Sequence, residues 1–167
     1  MKKLFALVMV FSFITSFLLA NSLELGSPAP QLKVLTDEGI TLDLGEALSA
    51  GTTLVFFYPK AMTPGCVKQA CSLRDGWDEL QSRDLRIFGV SSDTVKTQAQ
   101  FRDKYTLPFT LLADTDGKIA DAFSKSRWSR QAYLFRDGIL VWRDLMAATS
   151  KQATDVLSAL DELEPNS

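Results

Sequence analysis

Thr53-Leu54-Val55-Phe56-Phe57-Tyr58 is an almost unbroken β-branched and aromatic run, the pattern of a central strand covered on both faces. The residues just beyond it limit the fold further. Pro59 to Met62 reads as a short loop, and Thr63-Pro64 supplies an N-cap residue with proline at the first helical position. The helix beginning there turns Cys66, Ala70, Leu73, Trp77 and Leu80 inward, at spacings of a helical face, with Gly76 as its weak point.

The rest of the chain continues the alternation. A small hairpin, 32–35 with 40–42, turns at Gly39, and a short helix over 44–48 precedes the central strand. After the cysteine-bearing helix come a strand over 85–91, a helix over 95–104 and a strand over 110–113 that ends at Asp114-Thr115-Asp116-Gly117. A second hairpin, 132–135 with 139–142 about Asp137-Gly138, leads to a closing helix over 150–163. This order predicts one α/β domain with a central mixed β-sheet flanked by helices.

The first twenty residues read as an address. Met1-Lys2-Lys3 is a positive start, 4–20 is apolar apart from Ser12, Thr15 and Ser16, and Ala20 offers a small residue for cleavage. A signal peptide over 1–20 and a folded domain over 21–167 are therefore expected, with export, in a bacterium to the periplasm. The competing reading is a retained anchor, for which the apolar stretch is near the lower limit of a bilayer span. After cleavage no stable membrane association is expected.

Composition removes several kinds of chemistry. The chain has no histidine, which excludes Ser-His-Asp and Cys-His nucleophile systems and histidine-based zinc sites. Its net charge is -2, or near -4 without Lys2 and Lys3, and no basic stretch suggests nucleic acid. No metal or cofactor is expected.

Two cysteines are the only ones in 167 residues, and both fall in Thr63-Pro64-Gly65-Cys66-Val67-Lys68-Gln69-Ala70-Cys71. Cys66 lies in the first helical turn, where unpaired backbone N–H groups and the helix dipole stabilise an anion, the setting of a reactive thiolate. Cys71 is five positions on. On a regular helix the two Cα atoms would be about 8.6 Å apart, beyond the roughly 7 Å that a disulfide tolerates. Spacing alone leaves open a reactive pair, two unrelated cysteines or a static disulfide formed on export.

The run from Phe56 to Cys66, continuing through Gln69-Ala70-Cys71 to Leu73-Arg74-Asp75, closely resembles the active-site segment of bacterial Q-type peroxiredoxins, the bacterioferritin comigratory proteins. Weaker similarity extends from Gly26-Ser27-Pro28-Ala29-Pro30 through Phe109 to Asp114, and on to Arg130 and Tyr133-Leu134-Phe135. The resemblance implies a thioredoxin-like fold and a peroxidase acting on hydrogen peroxide and organic hydroperoxides. It makes Cys66 the peroxide-attacking cysteine, whose sulfenic acid Cys71 resolves to a disulfide, with a thioredoxin-like protein as reductant. It further implies that Thr63 holds the peroxide, Pro59 shields the thiolate and Arg130 stabilises it by charge. Arg127 competes for that last role, but the family's arginine directly precedes the strand that here carries Tyr133. The segment from Lys118 to Ser129 is shorter than is usual in the family. A monomer is expected. The alternatives are a disulfide oxidoreductase or electron carrier on the same fold, weakened by the missing C-x-x-C, and a binding domain with a static disulfide.

Overall fold

The structure, a computed structural model, describes residues 23–164. The leader expected over 1–20 lies outside the described residues. In chain order the elements are β1 (Lys33–Thr36), β2 (Thr41–Asp43), α1 (Leu44–Leu48), β3 (Thr52–Phe57), α2 (Pro64–Asp75), α3 (Trp77–Gln81) and β4 (Leu85–Ser91). Then come α4 (Val95–Tyr105), β5 (Thr110–Ala113), α5 (Lys118–Ala122), β6 (Gln131–Arg136), β7 (Ile139–Asp144) and α6 (Gln152–Leu163).

The strands form one mixed sheet in the order β2-β1-β5-β4-β3-β6-β7. The aromatic run lies inside it: β3 pairs parallel with β4, Leu54 opposite Ile87, and antiparallel with β6, Leu54 opposite Leu134. Because side chains alternate along a strand, the run feeds two cores. Leu54, Phe56 and Tyr58 pack with Cys66, Ala70 and Leu73 of α2, Phe101 of α4 and Val156 and Leu160 of α6. Val55 and Phe57 pack on the other face with Leu44 and Leu48 of α1 and with Ile119 and Phe123. Thr53 through Tyr58 are all buried, as a strand covered on both faces requires.

Two differences from the sequence-based expectation concern the helices. The long helix expected from Thr63 through Leu80 is two helices, α2 and α3, meeting at Gly76, whose N–H bonds to the Ser72 carbonyl at 3.1 Å. A Cβ built on Gly76 would sit 2.9 Å from the Cβ of Ala153, so α6 presses on the joint where only a bare backbone fits. Of the five residues expected to face inward, Trp77 is only half-buried and packs on Phe109, 6.2 Å between ring centroids.

The second difference is α5, a single helical turn in a stretch to which the sequence pattern assigns no element. One turn carries no periodic signal. It is fixed instead by Asp114, whose carboxylate accepts from the N–H groups of Ile119 (2.8 Å) and Ala120 (3.0 Å). Elsewhere strand and helix ends shift by one or two residues, as fraying ends do: the central strand ends at Phe57, and α6 begins at Gln152.

Candidate active site

Cys66 is the third residue of α2 and is 1% exposed. Its position is set by the sequence on either side. Thr63 takes extended backbone angles (φ −78, ψ 150), Pro64 starts the helix without an N–H to lose, and the first α2 bond runs from Val67 N–H to Thr63 C=O at 2.9 Å. The amides of Gly65 and Cys66 precede that bond, at the positive end of the helix.

The loop before the helix is pinned from the sheet. Tyr58 N–H donates to the Val90 carbonyl (3.0 Å), and Ala61 N–H donates to the Asp93 carboxylate (2.7 Å). Asp93 also accepts from the Ser91 hydroxyl (2.7 Å), which in turn accepts from the Gln98 amide (3.1 Å). The Oε1 of Gln98 accepts a hydrogen bond from the Tyr58 hydroxyl. Burial pushes the Tyr58 phenol far above its ordinary range, so it stays a donor. Within the pinned loop Pro59 is half-buried, and Met62 adopts a left-handed backbone (φ 65) that turns the chain into Thr63.

Thr63 caps the helix by backbone position but not by side chain. Its hydroxyl donates to the Lys60 carbonyl at 2.9 Å, and no N–H of α2 reaches it. The oxygen's lone pairs are thus not used by the helix.

Arg130, just before β6, donates from Nη2 to the Cys66 sulfur at 3.5 Å. The guanidinium lies so close to the helix start that a Cβ on Gly65 would be 3.2 Å from it. Arg127 is elsewhere: its exposed side chain covers Gly117, where a Cβ would meet its guanidinium at 2.5 Å. Of the two arginines considered from sequence, only Arg130 contacts the thiol.

The other end of the Arg130 guanidinium donates to Oε1 of Gln69, a fully buried residue of α2 that the family-like segment includes but to which the sequence reading gives no role. Its spacing of three from Cys66 puts both on one helical face, a usable signal that its polarity obscures. Gln69 passes the chain on to Gln152, the first residue of α6, at 2.7 Å. Nothing local to residue 152 announces this contact.

Cys71 lies on the same unbroken helix and is half-buried. Both cysteines are free thiols in this structure. Burial pushes the Cys71 thiol above its ordinary value, opposed by the charge of Arg74 one turn on and reinforced by Asp75. Among the described residues no group of three or more cysteine and carboxylate side chains is placed to hold a metal ion.

A buried thiol at a helix start, met by a guanidinium on a mixed sheet, is an arrangement suited to thiol-based redox chemistry. Residues 25–143 match the AhpC/TSA family model. A Bcp peroxiredoxin of Coxiella burnetii is 42% identical over 102 residues, covering 61% of this chain and 67% of its own. Peroxiredoxin Bcp of Escherichia coli is 37% identical over 121 residues, 71% of this chain and 76% of its own. Among solved structures, peroxidoxin BcpB of Mycobacterium tuberculosis is 27% identical, with a TM-score of 0.78 over 86% of this chain and 99% of that one. The chain belongs to the AhpC/TSA family, on its Q-type or Bcp branch, with the thioredoxin-like fold of that branch, and is a thiol-dependent peroxidase. Neither the electron-carrier nor the static-disulfide alternative is favoured by these likenesses.

Proposed function

We propose that this peroxidase works through a Cys66–Cys71 cycle, and the contact between Arg130 and the Cys66 sulfur is the observation that carries the reading. The Cys66 thiolate attacks one oxygen of a hydroperoxide. The O–O bond breaks, an S–O bond forms, and the leaving alkoxide or hydroxide takes a proton to give an alcohol or water. Arg130 offsets negative charge on sulfur and on the oxygens as it develops. Thr63, whose proton is committed to Lys60, accepts the hydrogen of the bound peroxide, and Pro59 keeps water from the thiolate.

In the second step the Cys71 sulfur displaces the oxygen of the Cys66 sulfenic acid as water, forming the disulfide. A thioredoxin-like dithiol then reduces it and is itself oxidised. Cys66, Cys71, Thr63, Pro59 and Arg130 come from one chain, which supports action as a monomer. The charged start, apolar stretch and Ala20 support export, to the periplasm in a bacterium, with the reductant on the same side. Among the described residues no helix is long and apolar enough to cross a membrane. Recovered from the producing cell, the protein is expected to begin at Asn21 by intact mass; a retained Met1 removes the leader assignment.

The second step demands motion, because α2 is continuous from Pro64 to Asp75 and holds its two sulfurs about 140° apart around the axis. Disulfide formation should therefore unwind α2 through residue 71, while Leu73 and Leu80, both buried, keep the rest docked. Hydrogen exchange on dithiol and disulfide forms checks this. The backbone amides of 66–72 are expected to lose protection on oxidation, and equal protection in both forms, with the disulfide confirmed by mass, rules the mechanism out.

A further inference from the structure

The polarity of the Arg130–Gln69–Gln152 chain is forced from one end. A guanidinium only donates, so Gln69 must turn its oxygen to Arg130 and its NH2 away. That NH2 meets Gln152 Oε1 at 2.7 Å. Gln152 thereby spends its oxygen on Gln69, and its own Nε2 is left buried with no hydrogen-bond partner in the structure. Both glutamines are 0% exposed. An unpaired buried donor lowers stability.

Docking of α6 does not explain why such a group is there. The helix start is held by its backbone, through Ala153 N–H on the Ser72 hydroxyl at 3.2 Å and the close seat on Gly76, and by the buried Val156 and Leu160. What Gln152 alone supplies is an acceptor for Gln69. Without it the Gln69 NH2 is left buried and unpaired, and the side chain can relieve this only by moving away from the guanidinium, which loosens half-buried Arg130 on Cys66.

We propose that Gln152 is a positioning residue for peroxide reduction: acting through Gln69, it fixes the Arg130 guanidinium on the Cys66 sulfur. The inference rests on the roles given to Cys66 and Arg130 in the proposed cycle. It separates two quantities that a structural role would link. Gln152→Leu and the unbranched Gln152→Met should leave the unfolding midpoint close to the parent value, since the unpaired Gln152 Nε2 is removed while the Gln69 NH2 loses its acceptor, one unpaired buried donor in place of another. The same variants should slow Cys66 oxidation by hydrogen peroxide about fivefold, the worth of one hydrogen bond. Gln152→Glu, which keeps an acceptor, should restore much of the rate.

The deciding measurement is a double-mutant cycle by stopped flow on the full chain, with each Gln152 variant alone and combined with Arg130→Met. The expected result is slowing in the parent background and no further slowing once Arg130 is gone. If Arg130→Met itself oxidises at the parent rate, the underlying site reading fails. If Arg130→Met is slow but the Gln152 variants oxidise normally, slow equally in both backgrounds, or lose stability in step with rate, the positioning role is overturned.

Discussion

Cys66→Ser is expected to show no peroxide turnover, with either dithiothreitol or a thioredoxin system as electron donor. Serine keeps the size and the place in α2 but is not ionised near neutral pH, so the helix start and Arg130 have no anion to act on. The chain has no histidine to activate the hydroxyl as a base instead. Cys71→Ser should separate the two half-reactions. Its Cys66 should still consume one equivalent of peroxide, since Cys71 does not contribute to that step, and recycling by a thioredoxin-type donor should then fail. A peroxide-consumption assay on the three proteins decides the matter. Substantial turnover by Cys66→Ser would remove that residue from the chemistry, and normal thioredoxin-linked turnover by Cys71→Ser would remove the resolving role.

The second large effect is expected at Arg130. Methionine fills much of the same space without charge, so Arg130→Met should slow Cys66 oxidation at least about tenfold, equivalent to about 1.4 kcal/mol of transition-state stabilisation. Arg127→Met should change the rate little, because its side chain covers Gly117 rather than the thiol. Single-turnover stopped flow on both variants measures this directly. The reverse order of effects would transfer the electrostatic role to Arg127 and leave the 3.5 Å contact without function.

The parts of this molecule legible in its sequence are those specified by neighbours along the chain. The Thr53-to-Tyr58 run marks a strand whatever surrounds it, and Thr63-Pro64 marks a helix start from two residues. Cys66 is visible because it falls inside that local grammar. The resemblance to the Q-type branch adds candidates, but the position of Arg130 relative to Cys66 depends on β3 and β6 lying side by side, which no short window shows.

Side chains that work across the fold are not legible in this way. Gln69 shares a helical face with Cys66, but its polarity gives no hint of burial, which its bonds to Arg130, 61 residues away, and to Gln152 accommodate. Gln152 is hidden twice over, since its partner is itself unexpected. The single turn of α5 escapes notice for a related reason: it is held by a carboxylate outside the helix, not by a pattern within it. Thr63 shows the opposite error, where a correct cap position suggests a cap bond that the hydroxyl instead makes to Lys60.

The tether from Asp93 to the Ala61 amide bears on how fast the catalyst can be reset. It ties the Pro59-to-Thr63 loop to the end of β4, while both sulfurs ride on α2. In the proposed cycle the receptacle for peroxide is thus a stationary mould, and only about two turns of helix have to rewind after reduction. Helix of that length forms in about a microsecond or less. Renewal of the site would then wait on the encounter with the electron donor and never on the protein's own rearrangement, so turnover should scale with donor concentration until the donor itself saturates.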